Sequence, residues 1–222
     1  MMQMRFLPIG CVLCALSAIW VSSGAEALND DPALVLYLPF EEGQGNTTLD
    51  QSGSGLEGQI NGAEWTRDGR VGNALTFQGA ANVEVPEVPE LDITEGITLQ
   101  AWVFPLAVQG DSNLFGRRNA ANQGGYTMQW TAGKIETWVH IGGWQGTRGR
   151  QTVTPEVGQW HHVAGVFDGS TVRQYVDGEL DIEFAQNGEM DSVPQVFRVG
   201  KPKPASLPWT ERLMRSPCIA VH

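Results

Sequence analysis

The chain has 222 residues, enough for one large domain or two small ones. A hydrophobic content of 41% and a charged content of 18% support a buried core and exclude a disordered chain. A formal charge of −11 excludes a nucleic-acid binder that works by neutralising phosphates, and three cysteines are too few for a disulfide scaffold.

Residues 1–27 read as a secretory signal: Arg5 supplies a positive start, residues 6–21 are almost all apolar, and Ser22-Ser23-Gly24-Ala25 offers small residues for cleavage. The apolar run is shorter than the roughly 20 residues of a spanning helix. The expected product is therefore secreted, periplasmic or at the cell surface, with no membrane association after cleavage. Cys11 and Cys14 leave with the signal, so Cys218 remains alone and no internal disulfide is expected.

From residue 34 onward the pattern is that of short strands. An apolar run at 34–40 is followed by the turn cluster Glu41-Glu42-Gly43-Gln44-Gly45-Asn46. Strand-like segments recur at 58–65, 74–77, 82–85, 97–104, 126–131, 134–141, 160–167, 172–176, 179–184 and 196–199, separated by Gly, Asp, Asn and Pro. So many short strands with frequent turns indicate an all-β sandwich or barrel. Asp168-Gly169 and Asp177-Gly178 each separate two strands and suit type I′ turns, which makes 160–184 a three-stranded meander.

In order and spacing, four stretches resemble a known family: LYLPFEEGQGNTTLDQSGSGLEGQINGAEWTRDGRVGNALTFQGAANVEVP, then ITLQAWVFP, then GQWHHVAGVFDGSTVRQYVDGELD, then FRVGK. The chain is similar, over about residues 32–201, to the laminin-G-like, concanavalin A-like jelly roll of bacterial exported proteins. The resemblance implies an all-β sandwich of two antiparallel sheets, usually a binding or adhesion module without catalysis, often with a structural calcium. The domain is expected to occupy residues 28–201.

The tail, residues 202–222, departs from that pattern. Family members continue after the Phe-Arg-Val-Gly strand with a last strand reading Gly-x-Ile-Asp-Glu-Val, which is absent here. Back-translation suggests a frameshift. If the Leu213 codon ends in G, the register one base earlier reads Asp across the Met214 codon, and suitable codons downstream continue as Glu-Val-Ala-Val-Tyr. A domain lacking its last strand is the expectation, with unpaired edges beside the gap.

Catalysis is not expected. Glycosidases need paired carboxylates flanking the scissile bond. The nearest candidate, Glu136, is followed by Thr137 and Trp138 where further acids would be needed. Glu179, Asp181 and Glu183 alternate, but they follow a hairpin turn and read as a solvated acidic face. His161 and His162, adjacent on a strand, point to opposite sides and cannot share a metal. For calcium, which takes oxygen ligands, the loop around Asn46 and Asp50 is the best candidate; the competing reading is an Asx-turn in which Asp50 bonds its own loop.

Ligand binding remains. Trp138 and Trp144, with Gln145 and Arg148, lie in or beside a Gly-rich stretch, where sugar rings could stack on aromatic faces and polar groups set orientation. The competing reading places these Trp in the core. Arg117, Arg118 and Asn119 could line the same surface or form a solvated turn. The expected partner is a glycan or an extracellular protein.

Overall fold

The computed structural model describes residues 31–108, 110–118 and 123–200, together with the backbone of 212–216 and 219–221. The expected signal at 1–27 lies outside the described residues, as does Asn119. The strands in chain order are β1 (Leu36–Leu38), β2 (Thr47–Leu49), β3 (Glu57–Asn61), β4 (Glu64–Thr66), β5 (Ala74–Gln78), β6 (Asn82–Val85), β7 (Ile97–Val103), β8 (Asp111–Arg117) and β9 (Tyr126–Thr131). They continue with β10 (Lys134–His140), β11 (Trp144–Gly146), β12 (His161–Phe167), β13 (Thr171–Val176), β14 (Glu179–Ala185), β15 (Phe197–Val199), β16 (Arg212–Ser216) and β17 (Ile219–Val221).

Two antiparallel sheets form the sandwich. One has six strands in the order β1-β17-β7-β12-β13-β14, the other eight in the order β11-β10-β9-β8-β15-β6-β3-β2, and β16-β5-β4 form a small third sheet. Alternation explains the layering: along β7, Ile97, Leu99, Ala101 and Val103 are buried while Thr98, Gln100 and Trp102 are half-buried on the outside. The core between the sheets is filled by Phe40, Phe77, Phe115, Trp130, Phe167 and Phe197, all close to fully buried. Side chains of this size supply most of the apolar area that stabilises such a sandwich.

Three departures from the strand pattern have local causes. The segment at 58–65 is broken at Gly62, whose φ of +70° turns the chain from the eight-stranded sheet into the small one. Strand β8 carries a register shift between Asn113 and Phe115, so its inward and outward residues do not alternate in the text. The Asp177-Gly178 turn has positive φ at both residues, as type I′ requires, but at Asp168-Gly169 only Gly169 does. There the Asp168 carboxylate accepts hydrogen bonds from the Ser170 and Thr171 N–H groups and from the Ser170 hydroxyl, closing the turn through its side chain.

The expectation of a missing closing strand is corrected at the backbone level. Strand β17 fills the slot between β1 and β7, with Leu36 opposite Val221 and Ala101 opposite Ile219, and β16 pairs with β5. The N–H and C=O groups of β1 and β7 demand partners whatever side chains the partner carries. Ile219-Ala220-Val221 meets that demand without the family's Gly-x-Ile-Asp-Glu-Val pattern.

Candidate functional site

In the eight-stranded sheet, Tyr126, Met128 and Trp130 of β9 and Ile135 and Val139 of β10 belong to the core. The residues between them therefore face outward, and the register lines them up across strands. One row is Asn113, Gln129 and Glu136; the next is Gly116, Thr127, Trp138 and Gly146. A third row begins with Arg118, just past the end of β8, and continues through His140 opposite Trp144. Neighbouring strands stand about 4.8 Å apart, and alternate residues along one strand about 7 Å apart.

Glu136, Trp138 and Arg148 form one unit. Arg148 donates to Glu136 through Nε at 2.8 Å and Nη2 at 3.0 Å, and Trp138 Nε1 donates to the same carboxylate at 3.0 Å. The Glu136 side chain is 3% exposed and that of Arg148 49%, so the guanidinium caps a buried charge from the solvent side. It also lies over the Trp138 ring, 5.5 Å from its centroid. A side chain at position 146 would collide with that ring, which is why a glycine faces Trp138. Trp138 is thus held in place by the protein itself.

The third row is built differently. The His140 and Trp144 rings meet edge to face at 5.0 Å, and the Arg118 guanidinium stands 5.9 Å from the Trp144 centroid. His140 Nδ1 is 2.6 Å from Asp191 Oδ2, which also accepts the Gly142 N–H at 2.9 Å. Burial lowers the Arg118 pKa from its ordinary value.

The expected quartet is thereby divided. Trp138, Trp144 and Arg148 share the outward face, whereas Gln145 pairs with the core residue Val139 and so lies on the inward side of β11. The stretch that reads as a Gly-rich loop contains this edge strand.

Arg117 is neither surface-lining nor solvated. It is buried and donates to the carbonyls of Leu91, Val193 (3.3 Å) and Gln195 (3.0 Å) and to the Asp92 carboxylate at 3.1 Å. Tyr126 adds a hydrogen bond from its hydroxyl to the Leu91 carbonyl at 2.9 Å.

Asp181 is likewise not part of a solvated face. A register shift between Gln174 and Tyr175 leaves it as the extra residue on β14, so the alternation with Glu179 and Glu183 breaks. It turns inward, accepting bonds from Thr152 N–H and hydroxyl, Val153 N–H and Gln174 Nε2.

Asn46 and Asp50 lie at opposite ends of the short strand β2. Asp50 Oδ1 accepts the N–H groups of Tyr37 (2.8 Å) and Ser52 (2.9 Å), and Oδ2 accepts the Ser52 hydroxyl (2.8 Å). That is an Asx-turn which also pins the loop to β1. Among the described residues, no three His, Cys, Asp or Glu side chains cluster to hold a metal ion.

A model of the laminin-G type, from the concanavalin A-like lectin/glucanases superfamily, matches residues 77–210, more than half of the chain. The chain belongs to this family. Similar solved structures include domain 4 of AbnA, an extracellular arabinanase from Geobacillus stearothermophilus, in complex with arabinotriose. It is 18% identical with a TM-score of 0.66, over 85% of this laminin-G-type chain and 91% of that one. The binding domain of Paraclostridial Mosquitocidal Protein 1 is 13% identical with a TM-score of 0.67, over 88% of this chain and 49% of that one. The binding domain of botulinum neurotoxin DC in complex with rat synaptotagmin II is 10% identical with a TM-score of 0.65, over 87% of this chain and 48% of that one. The laminin-G-type chain thus spans about half the length of each toxin binding domain. At these identities the likeness is one of fold. A search of curated proteins found no match. Among the described residues, no helix is long and apolar enough to cross a membrane.

Proposed function

We propose that this laminin-G-type domain is an exported, non-catalytic module that binds a carbohydrate on the outward face of its eight-stranded sheet. The observation that carries the reading is the third row, where Trp144 stands partly exposed on the edge strand between the imidazole of His140 and the guanidinium of Arg118. A partly exposed indole flanked by polar groups suits a sugar ring, which stacks its C–H face and hydrogen-bonds at its rim. The arabinotriose-bound domain has the same fold and supports this choice of ligand class. No catalysis is expected at Glu136: its carboxylate is bound by Arg148 and Trp138, and its row neighbours Gln129 and Asn113 are amides where a second acid would be needed.

A glycan array followed by calorimetry tests the proposal. The wild type is expected to bind at least one oligosaccharide, and Trp144→Ala to weaken that binding about tenfold or more, the scale expected for losing a buried aromatic face. Trp144→Phe should retain most of it. Full binding by Trp144→Ala would overturn the assignment. A second reading, recognition of a protein, is favoured by the edge strand β14, where Leu180 is 53% exposed. Under that reading no glycan binds and Leu180→Asp abolishes capture of a protein partner.

A further inference from the structure

Asn-Gly occurs twice in the chain, at Asn61-Gly62 and at Asn187-Gly188, and all four residues are exposed. This dipeptide carries a reactivity of its own. The backbone nitrogen of the second residue can attack the side-chain carbonyl of the first, and glycine has no side chain to obstruct the approach. Whether the folded protein permits the attack depends on what holds that nitrogen. A backbone N–H committed to an acceptor must first be released, whereas one left in water is ready to lose its proton.

The two glycines differ in this respect. Gly188 N–H donates to the Gly169 carbonyl at 3.2 Å. Gly62 follows the last residue of β3. Along an antiparallel strand the N–H groups point alternately to one neighbour and the other. Ile60 N–H donates to the Asn46 carbonyl at 2.8 Å, on the β2 side, so the Gly62 N–H is turned to that side as well. There the chain opposite β3 has already bent away, and among the described residues nothing accepts the Gly62 N–H. The Asn61 amide donates through Nδ2 to Asn82 Oδ1 at 3.1 Å and to the Gln59 carbonyl at 3.5 Å. Those bonds are made by the nitrogen that would depart and do not cover the carbonyl carbon.

We infer that Asn61 is a site of spontaneous modification, converted by its own chain and water into aspartate and isoaspartate ahead of Asn187. The Gly62 nitrogen gives its proton to solvent base and forms a bond to Asn61 Cγ. The Cγ–Nδ2 bond breaks, and Nδ2 takes up a proton and leaves as ammonia. One water then opens the resulting five-membered succinimide at either of its carbonyls. Opening at Cγ yields aspartate, and opening at the backbone carbonyl yields isoaspartate. Each event adds one negative charge. The isoaspartate route also inserts a methylene into the main chain at the Gly62 turn, where the chain leaves the eight-stranded sheet for the small one. The reaction needs no enzyme and is independent of the carbohydrate reading.

Peptide mapping by mass spectrometry, after incubation of the whole folded protein at 37 °C and pH 8, tests this. Asn61 is expected to convert roughly fivefold faster than Asn187, the ratio set by one ordinary hydrogen bond at the Gly188 nitrogen. Isoaspartate should appear among the products at position 61, and the rate should rise with pH. In oxygen-18 water each product should carry one label, from the opening of the succinimide. In concentrated guanidinium chloride, where the bond to Gly169 is gone, the two steps should react at comparable rates. That result shows that the fold sets the order seen in the native protein. Conversion of Asn187 as fast as Asn61 or faster in the folded protein overturns the inference. So does an Asn61 that stays intact in the folded protein while the unfolded chain reacts.

Discussion

Arg117→Met should lower the unfolding free energy by about 3–5 kcal/mol, the cost of stripping a buried charged donor from its acceptors. The side chain ties the segment around Leu91 and Asp92 to the segment from Val193 to Gln195, and both lie far from it in sequence. Methionine matches much of the volume but leaves three carbonyls and a carboxylate without this donor. Arg117→Lys should recover little, because a single ammonium cannot reach acceptors spread around a planar fork. Denaturant unfolding with an unchanged m-value is the measurement. The variant should also weaken ligand binding, because the segment held by Arg117 carries Asp191, which orients His140 beside Trp144. A loss below about 1 kcal/mol would show that the strap contributes no more than an ordinary hydrogen bond.

Asp181→Ala should cost a similar amount, roughly 3–5 kcal/mol, because it leaves several buried donors unsatisfied at once. Gln174, which donates to Asp181 and to the Ile135 carbonyl, also accepts from the Thr137 and Thr147 hydroxyls, so the loss spreads through a network joining the two sheets. The same residue predicts an acid limb to stability. Burial alone would raise the Asp181 pKa, but the hydrogen bonds from Thr152, Val153 and Gln174 outweigh it and hold the carboxyl below its ordinary value. Since the folded state binds the proton more weakly than the unfolded chain, this stabilisation is complete above the ordinary aspartate value of about 3.9 and is lost as pH falls below it. Asp168 acts in the same direction, held low by the Arg173 guanidinium and then by Ser170. Melting curves between pH 7 and pH 3 should therefore fall steeply only at the acid end, and Asp181→Asn should flatten that fall. An unchanged acid limb in Asp181→Asn would assign it to other carboxylates.

Periodicity made the sandwich legible wherever inward and outward residues alternate without interruption, as in β6, β7 and β9, whose bounds lie close to those read from the text. It failed at bulges. The extra residue at Leu114 hid β8, and the one at Asp181 turned a buried acceptor into an apparent surface acid. It failed also at short edge strands: Trp144–Gly146 reads as a loop because its glycine answers to Trp138 across the ladder rather than to its own neighbours. Trp144 and Arg148 could be singled out by residue type alone. Their division of labour could not, because it depends on Glu136, which sequence reasoning considered only as a failed catalyst. Arg118 was visible beside Arg117, but only alternation past the end of β8 separates a buried strap from an outward-facing cation.

The pairing of β1 with β17 has a consequence for assembly. Strand β1 is an edge strand whose one ladder partner is β17, and β17 in turn bridges it to β7. The earliest strand to be synthesised therefore waits for the latest before it acquires a neighbour. Loop closure of that span is paid in entropy before any ladder bond repays it, which places this step late and makes it slow. Until then the backbone groups of β1 that face β17 have no ladder partner.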